Sequence, residues 1–369
     1  MSRPMSVLIV STPVGPIGSG VGGGVELTLR NIADGLITRG HHVEVIAPCG
    51  SSQIGHVVHQ VDGRLVESVQ FVDRASPLPA TSSDDVLVRM WDVARELASR
   101  HDVVVNLAYD AHPFAVADSF PVPVAHLVSM ASLTDAMDDI INAALTSRPG
   151  HVAMHSRSQA ATFAEGSRAV VVGSGVDVSE YDFRVSANGD RRLGFVGRIS
   201  AEKGLDDAFA VASLTGRPLH VWGFMQDPGL WDRVRGEHPT VDVHYAGFVS
   251  TDELQRGLGE CAALLVTSKW VEAFGNVVIE ALSCGVPVIT YDRGGPAEIV
   301  ADGVTGFVVA PDDAAAMAHA VGRLGEILRA DCRARAVADF STTALADRVE
   351  AWLAKVCRGA DFPGIPLSF

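Results

Sequence analysis

Short runs of β-branched and other apolar residues alternate with helical patterns along the whole chain. One set of predicted strands comprises Val7–Ser11, Val43–Ala47, Val103–Asn106, Val122–His126 and Ala169–Val172. A second set comprises Leu193–Val196, Leu219–Trp222, Val241–Tyr245, Ala263–Thr267 and Val288–Tyr291. Strands that are apolar along most of their length are typical of a parallel sheet that is covered on both faces. The alternation therefore predicts an α/β fold built from doubly wound sheets.

The alternation restarts in the middle of the chain, which predicts two domains. A chain of 369 residues is too long for one ordinary core. Residues 178–191 are polar and contain Gly, Asn and Asp, and a new strand follows them. We predict an N-terminal Rossmann-like domain over residues 1–185, completed by a C-terminal helix within 341–369, and a C-terminal Rossmann-like domain over 186–340.

Composition excludes several classes of protein. The formal net charge of -15 disfavours nucleic acid as a partner. No apolar run is long enough to span a membrane, and the N-terminus lacks the apolar region of a signal peptide. Five scattered cysteines form no C-x-x-C and indicate reduced thiols in a cytoplasmic protein. In such an acidic chain a phosphate site must be built locally, from backbone N–H groups and a few cations.

The stretch EAFGNVVIEALSCGVPVIT, residues 272–290, carries two glutamates around a glycine-led helix. A helix that begins near Gly275 offers its first N–H groups and its dipole to an anion. Asn276, Glu280 and Ser283 share one face of that helix. Glu280 lies roughly 7 to 8 Å along the axis, about the distance from a diphosphate to its ribose. Glu272, ahead of the helix, is expected beside a sugar; the alternative is that both glutamates are ordinary surface charges.

The stretch FVGRISAEKGL, residues 195–205, places two cations in a strand-to-helix loop. Arg198 and Lys203 stand at the carboxyl end of a predicted strand, where parallel sheets offer their sites. Two cations five residues apart suit a diphosphate. The alternative is a solvated surface pair.

Taken together, these motifs resemble retaining glycosyltransferases of family 4, which have the GT-B fold. The family's E-x7-E signature is present as Glu272 and Glu280, and its G-R-x-x-x-E-K-G loop spans residues 197–204. Three further stretches resemble the family pattern: GGVELTLRNIADGLITRGHHVEVIA from Gly23, GVDVSEYDF from Gly175 and GGPAEIVADGVTGFVVAP from Gly294. Ser174 departs from that pattern, since Asn is usual there.

The resemblance implies a nucleotide-sugar donor, expected to be UDP-glucose, bound mainly by the C-terminal domain without a metal or other cofactor. It implies that Arg198 and Lys203 neutralise the leaving diphosphate, that Glu272 holds the sugar and that Glu280 holds the ribose. The remaining expected donor contacts are Gly197, Gly223, Phe248, Phe274, Gly275 and Asn276. The family lacks a D-x-D metal motif, and the chain has none. The runners-up on the same scaffold are a sugar-nucleotide 2-epimerase and a non-catalytic nucleotide-sugar-binding protein.

The resemblance also implies that the N-terminal domain binds the acceptor. His126, after the stretch VPVA, is expected at a strand end near the reacting sugar, as a catalytic residue together with Arg198, Lys203 and Glu272. The alternative is a hydrogen-bonded structural histidine. Other predicted acceptor contacts are Tyr109, Asp110, His112 and Met130; Asp110 is a candidate proton acceptor or a loop-capping aspartate. Residues 1–180 hold 11 Lys and Arg against 19 Asp and Glu, which favours a small soluble acceptor over an anionic lipid surface.

The glycine-rich stretch GPIGSGVGGGVELTL, residues 15–29, allows two interpretations. It contains G-x-G-x-x-G, but the acid that an NAD site requires at the end of the second strand is missing, and Glu44 lies mid-strand. We therefore expect Gly22, Gly23 and Gly24 to close over the donor's diphosphate. The stretch also resembles the N-terminus of bacterial enzymes that glucosylate pterins such as tetrahydrobiopterin.

Overall fold

The computed structural model describes residues 3–52, 57–66, 73–187 and 191–359. The strands are β1 (Ser6–Val10), β2 (His42–Pro48), β3 (Val57–Val61), β4 (Val103–Asn106), β5 (Val124–Val128), β6 (Val152–Met154), β7 (Val170–Val171), β8 (Leu193–Val196), β9 (Leu219–Trp222), β10 (Val243–Gly247), β11 (Ala263–Val266), β12 (Val288–Tyr291) and β13 (Gly306–Val309). Every strand pairing is parallel.

The helices are α1 (Gly24–Thr38), α2 (Val86–Leu97), α3 (Ala111–Val116), α4 (Asp135–Ser147), α5 (Arg157–Ala160), α6 (Leu205–Thr215), α7 (Pro228–Glu237), α8 (Thr251–Glu260), α9 (Asn276–Ser283), α10 (Gly295–Ile299), α11 (Ala314–Gly322), α12 (Arg329–Phe340) and α13 (Thr342–Arg358). Short 3₁₀ turns cover Ala98–Arg100, Ala117–Ser119, Gly166–Arg168, Val178–Glu180, Ala201–Lys203 and Leu324–Glu326. Among the residues described, none of these helices has the length and apolarity needed to cross a membrane.

The chain divides into two compact units. Of the described residues, unit 1 contains those within 3–175 and 342–359, and unit 2 contains those within 176–341. The first unit thus ends ahead of the predicted boundary at residue 185. The segment after Gly175 packs on unit 2 instead, because the Val176 N–H donates to the Phe340 carbonyl at 2.9 Å. Helix α13 lies in unit 1, whereas the predicted extension to residue 369 lies outside the described residues.

Unit 1 is a seven-stranded sheet in the order β3-β2-β1-β4-β5-β6-β7. Alternate residues of each strand face opposite sides, so the sheet supports a core on each face. One core joins β1, β2 and β4 to α1 and α13, and a second, which includes the buried Trp91, joins them to α2. A third core lies under α4, at the β5–β6 end.

Unit 2 is a six-stranded sheet in the order β10-β9-β8-β11-β12-β13. In both sheets the strand order reverses beside the first strand, between β1 and β4 and between β8 and β11. Loops at the carboxyl ends of the strands flanking such a switch point form a crevice in which ligands bind. The predicted fold class, two doubly wound α/β domains, is confirmed.

Candidate active site

The switch point of unit 2 brings together the two loops that the sequence singled out. The loop after β8 carries Arg198 and Lys203, and the loop after β11 carries Glu272. The two loops are hydrogen-bonded to each other. The Thr267 hydroxyl donates to the Lys203 carbonyl at 3.1 Å, and the Lys269 N–H donates to the Glu202 carbonyl at 2.8 Å.

Lys203 and Glu272 form an ion pair in this crevice. The Lys203 Nζ lies 2.5 Å from the Glu272 Oε1, and the two side chains are 19% and 10% exposed. The Ser268 hydroxyl donates to the same carboxylate oxygen at 2.6 Å. Burial by itself would raise the pKa of Glu272, but Lys203 and Ser268 hold that pKa below its usual value. Glu272 is therefore ionised, and it accepts hydrogen bonds.

Arg198 is held by a buried acid of its own loop. Its Nη2 donates to the Glu202 Oε1 at 3.0 Å, and its Nη1 donates to the Gln226 Oε1 at 3.1 Å. The Ser200 hydroxyl donates to the same Glu202 oxygen at 2.7 Å. Glu202 is buried, and its Oε2 makes no hydrogen bond to any residue that the structure describes. The motif contains Glu202, but sequence reasoning did not single it out as a functional residue. The available signal was its spacing, four residues after Arg198, with which it pairs.

Gly197 and Gly223 pack backbone against backbone at the ends of β8 and β9. Gly223 has φ 142°, and a Cβ there would lie 1.9 Å from the Gly197 carbonyl oxygen. The Gly223 N–H donates to the Gly247 carbonyl at 2.8 Å, so the ends of β9 and β10 are joined as well. Phe248 follows directly and is 67% exposed. These three predicted donor contacts therefore lie at neighbouring strand ends.

The start of α9 requires a glycine. Gly275 has φ 97°, and a Cβ there would lie 2.8 Å from the Pro296 Cγ. The Gly295 N–H donates to the Glu272 carbonyl at 2.9 Å, so the loop before α10 supports the loop before α9. The Phe274 ring is buried, and it packs edge-on against Phe340 at 5.9 Å. Any ligand contact of Phe274 must therefore come from its backbone; Asn276 is the first residue of α9.

Glu280 lies one turn further along α9 and is buried. The Tyr181 hydroxyl donates to its Oε1 at 3.0 Å. Burial raises the pKa of Glu280 to about 7, against the opposing effect of Tyr181. Sequence reasoning missed Tyr181, because this partner precedes Glu280 by 99 positions and only the fold brings the two together.

The glycine-rich loop of unit 1 encloses the carboxylate of Glu26, a residue of the helix that follows it. The Glu26 carboxylate accepts N–H groups from Gly22 at 2.6 Å, Gly18 at 2.7 Å and Gly20 at 3.3 Å. The Gly23 N–H donates to the Gly20 carbonyl at 3.1 Å, and Gly24 is the first residue of α1. In this arrangement the expected diphosphate contact of Gly22 is taken by Glu26, which the sequence analysis had not considered.

His126 is the middle residue of β5, so the prediction that it lies at a carboxyl end was wrong. The strand begins at Val124 and runs two residues past His126. In the register, His126 pairs with Asn106, the last residue of β4, and Asn106 Nδ2 lies 3.3 Å from its Nδ1. Its ring stacks on Phe114 at 4.0 Å. Burial lowers the pKa of His126 to about 3, so the ring is neutral.

Of the other predicted acceptor residues, Tyr109, Asp110 and His112 follow the end of β4, and Met130 follows the end of β5. Asp110 caps α3 by accepting the His112 N–H at 2.9 Å, and burial raises the pKa of Asp110 while it lowers that of His112. The Tyr109 hydroxyl is buried without a hydrogen-bond partner among the described residues. The Met130 carbonyl accepts from Gln159 at 2.9 Å.

A cavity of about 170 Å³ opens beside Asp110 in unit 1. Its apolar wall comes from Leu65, Val66, Pro79, Ala80, Leu87 and Val88. Arg64 and Asp85, which form an ion pair at 2.6 Å, line it together with Asp110. The cavity thus combines an apolar wall with two carboxylates in its lining. Sequence reasoning did not find it, since its wall comes from several loops and the start of α2, none of which carries a motif.

Comparison with known proteins identifies the class. A family model described as glycosyl transferases group 1 matches residues 178–338, which is nearly all of unit 2. The match to that family is confined to this segment, which is less than half of the chain. Along its length it is 28% identical to a glycogen synthase of Mycobacterium tuberculosis, over 90% of this chain and 89% of that protein. The chain is a glycosyltransferase.

Two solved structures share the fold. The sucrose-phosphate synthase of Thermosynechococcus elongatus has a TM-score of 0.77 and 17% identity, over 96% of this chain and 100% of that one. Anabaena HepE, solved in complex with UDP-glucose, has a TM-score of 0.73 and 16% identity, over 95% of this chain and 100% of that one. At these identities the similarity shows the GT-B fold.

Proposed function

We propose that this glycosyltransferase moves a hexose, glucose, from a UDP-sugar to a small soluble acceptor, with retention of anomeric configuration and without a metal. The observation that carries the proposal is the set of Arg198, Lys203 and Glu272 at the switch point of unit 2, in the segment that matches the family. The structural neighbour HepE binds UDP-glucose, which supports the choice of donor.

The two cations suit the charge that develops on a leaving diphosphate. In a chain of net charge -15, Arg198 and Lys203 place two cationic hydrogen-bond donors at this site without a D-x-D motif. Cations fixed in a partly buried site stabilise developing charge more than they would in water. Glu202 and Gln226 hold the Arg198 guanidinium in place before a donor binds. Glu272, kept ionised by Lys203, accepts hydrogen bonds from sugar hydroxyls.

Glu280 is proposed to hold the ribose. An ionised carboxylate accepts hydrogen bonds from two neighbouring hydroxyls, whereas a protonated one also donates. Because the pKa of Glu280 is about 7, this contact is sensitive to pH in the neutral range. Tyr181, hydrogen-bonded to the same carboxylate, is proposed to fix its rotamer.

Retention is proposed to proceed by front-face attack. The bond from the anomeric carbon to the diphosphate oxygen breaks, the bond to the acceptor oxygen forms on the same face, and the acceptor proton goes to the leaving phosphate. This scheme requires no enzyme nucleophile. His126, neutral and buried, is proposed to position the sugar by hydrogen bonding and not as a charged group.

The acceptor is proposed to be a pterin such as tetrahydrobiopterin, bound by unit 1. An apolar slot with carboxylates in its lining suits a flat heterocycle whose amide edge donates hydrogen bonds. The cavity beside Asp110 has that character. The resemblance of residues 15–29 to pterin glucosyltransferases supports the same acceptor.

The test is turnover of UDP-glucose with a panel of small acceptors that includes reduced pterins. We expect UDP release that depends on an acceptor, and a product whose NMR coupling constant reports the donor's anomeric configuration. Conversion of the UDP-sugar to its epimer without an acceptor would indicate the 2-epimerase. Tight UDP-sugar binding without either product would indicate a binding protein. The named relatives are synthases, which favours transfer.

A further inference from the structure

Three histidines surround one carboxylate near the amino ends of the parallel strands in unit 1. His42 and Glu44 are two residues apart on β2, so their side chains lie on the same face. His59, on β3, is in register with Ile46 and shares that face. His101 lies in the turn before β4, after the end of α2. This edge of the sheet is opposite to the carboxyl ends that hold the predicted acceptor residues.

Three of these side chains present ligand atoms to a common point. The Glu44 Oε1 lies 3.8 Å from the His42 Nε2 and 3.7 Å from the His101 Nε2. All three atoms lie within 4.8 Å of one another. Ligands of a tetrahedral zinc ion, each about 2.1 Å from the metal, are about 3.4 Å apart. The two contacts of Glu44 therefore need to shorten by only about 0.4 Å to match such a site.

The contacts around the cluster direct the lone pairs inward. The His101 Nδ1 lies 3.1 Å from the Leu97 carbonyl, which can only accept, so Nδ1 carries the proton and Nε2 is left as an acceptor. That Nε2 is buried and has no hydrogen-bond partner among the described residues. Histidine ligands of metals commonly donate their other ring N–H to a carbonyl in this way.

The carboxylate is oriented by the third histidine. The His59 Nε2 lies 2.6 Å from the Glu44 Oε2, which leaves Oε1 to face the other two rings. The His42 Nδ1 lies 3.3 Å from the Ser6 hydroxyl, so its Nε2 faces Glu44. Each of the three ligand atoms therefore has a partner on its outer side that fixes the direction of the group.

We propose that His42, Glu44 and His101 bind a divalent transition-metal ion, zinc. Two imidazole nitrogens with one carboxylate oxygen favour zinc over magnesium or calcium, which prefer oxygen ligands throughout. The His42 side chain is 60% exposed, so the fourth position of the ion opens to water. The ion links the start of β2 to the turn before β4. It thereby stabilises unit 1 at the edge away from the acceptor residues.

The experiment uses the full-length, untagged chain, stripped of metal with a chelator and kept reduced. Zinc is titrated by calorimetry and by competition with a chromophoric chelator. We expect one zinc per chain, and a rise in the melting temperature when zinc is added. Replacing the exposed ligand, His42→Gln, should weaken binding by at least about 100-fold and abolish the rise. His59→Gln, an orienting residue, should weaken binding about 10- to 100-fold.

Matched controls separate this site from adventitious binding. His319→Gln removes an exposed histidine of α11, and Cys49→Ser removes the exposed thiol. Both variants should bind zinc like the wild type. The proposal is overturned if the wild type binds no zinc under these conditions, or if His42→Gln binds it with unchanged affinity. Neither result bears on glycosyl transfer, because that chemistry is assigned to other residues.

Discussion

Two glycine-led loops, one in each unit, precede a helix, and they differ in what occupies them. In unit 1 the loop before α1 encloses the Glu26 carboxylate, which takes three of its N–H groups. In unit 2 the loop before α9 has no acid in the first turn of its helix, and Lys203 lies beside Glu272 just ahead of it. The number of glycines therefore does not identify a phosphate site. The charge that the fold places beside the loop is the better indicator.

The largest effect on activity is expected from replacing Lys203, one of the two cations of the unit 2 site. Lys203→Ala removes positive charge from the leaving diphosphate and should lower kcat with UDP-glucose by about 10²- to 10³-fold. Arg233→Ala is the matched control, because it removes an exposed cation of α7 that pairs with Glu237. A melting curve is needed beside the kinetics, since the variant leaves Glu272 buried and unpaired. Near-normal turnover by a folded Lys203→Ala protein would rule out the assigned site.

A smaller effect is expected from the buried acid that holds Arg198. Glu202→Gln keeps the shape but weakens the hydrogen bonds to Arg198, and it should lower kcat about 10- to 100-fold through misplacement of the guanidinium. The control is Glu326→Gln, an exposed acid that pairs with Arg323. As a positioning residue, Glu202 should change kcat more than KM. An equal rise in KM with unchanged kcat would contradict this role.

Glu280 should give a pH-dependent change in donor affinity. The carboxylate is lost as the pH falls through about 7, so KM for UDP-glucose should rise below that pH. Glu280→Gln cannot ionise, and it should show a KM about tenfold higher with this pH dependence removed. KM measured for both proteins on either side of neutrality checks the prediction. A KM of the variant that matches wild type above pH 7 would remove Glu280 from the donor site.

The raised pKa of Glu280 should make stability depend on pH in the opposite direction to donor affinity. The pKa of Glu280 is higher in the folded chain than its ordinary value, so the folded state binds the proton more tightly. Its contribution to stability is therefore present at low pH and is lost as the pH rises through about 7. Glu280→Gln should unfold at a higher temperature than wild type above that pH. Thermal melts at acidic and alkaline pH measure this difference.

The smallest effect on activity is expected in the glycine loop of unit 1. Glu26→Gln removes the charge that the three N–H groups bind, and it should lower the free energy of unfolding by about 1 to 3 kcal/mol. The expected change in KM for UDP-glucose is at most about twofold, which corresponds to a fraction of 1 kcal/mol of binding free energy. A clear fall in KM would instead show that releasing the loop lets it bind the diphosphate. That result would restore the expected role of Gly22–Gly24.

Much of the fold could be predicted from the sequence because its strands are short apolar runs. Leu193–Val196, Leu219–Trp222 and Val288–Tyr291 were predicted to the residue. The missed strands carry a weaker pattern: β3 contains His59 and Gln60, β6 has three residues, and β13 begins at a glycine. The shift of β5 follows from Pro123, which has no N–H to donate and supplies only its carbonyl, to Val104.

The candidate site was predictable only where a motif carried it. The motifs gave Arg198, Lys203, Glu272 and Glu280 as residues of interest, and their roles stay predictions. The ion pair between Lys203 and Glu272 joins residues 69 positions apart, and only the sheet topology brings them together. The partners of Glu280 and of the glycine loop were missed for the same physical reason. An individual hydrogen bond to a carboxylate leaves no periodic pattern in the sequence.

The route of the chain through the units has a consequence for synthesis on the ribosome. Helix α13 completes the core of unit 1 from the far end of the sequence, where Trp352 is buried and its Nε1 donates to the Gly150 carbonyl at 2.7 Å. Unit 2 is continuous, so its residues have all been made while unit 1 still lacks this helix. Unit 2 can therefore close first during translation, whereas the unit that begins the sequence must wait for its last helix.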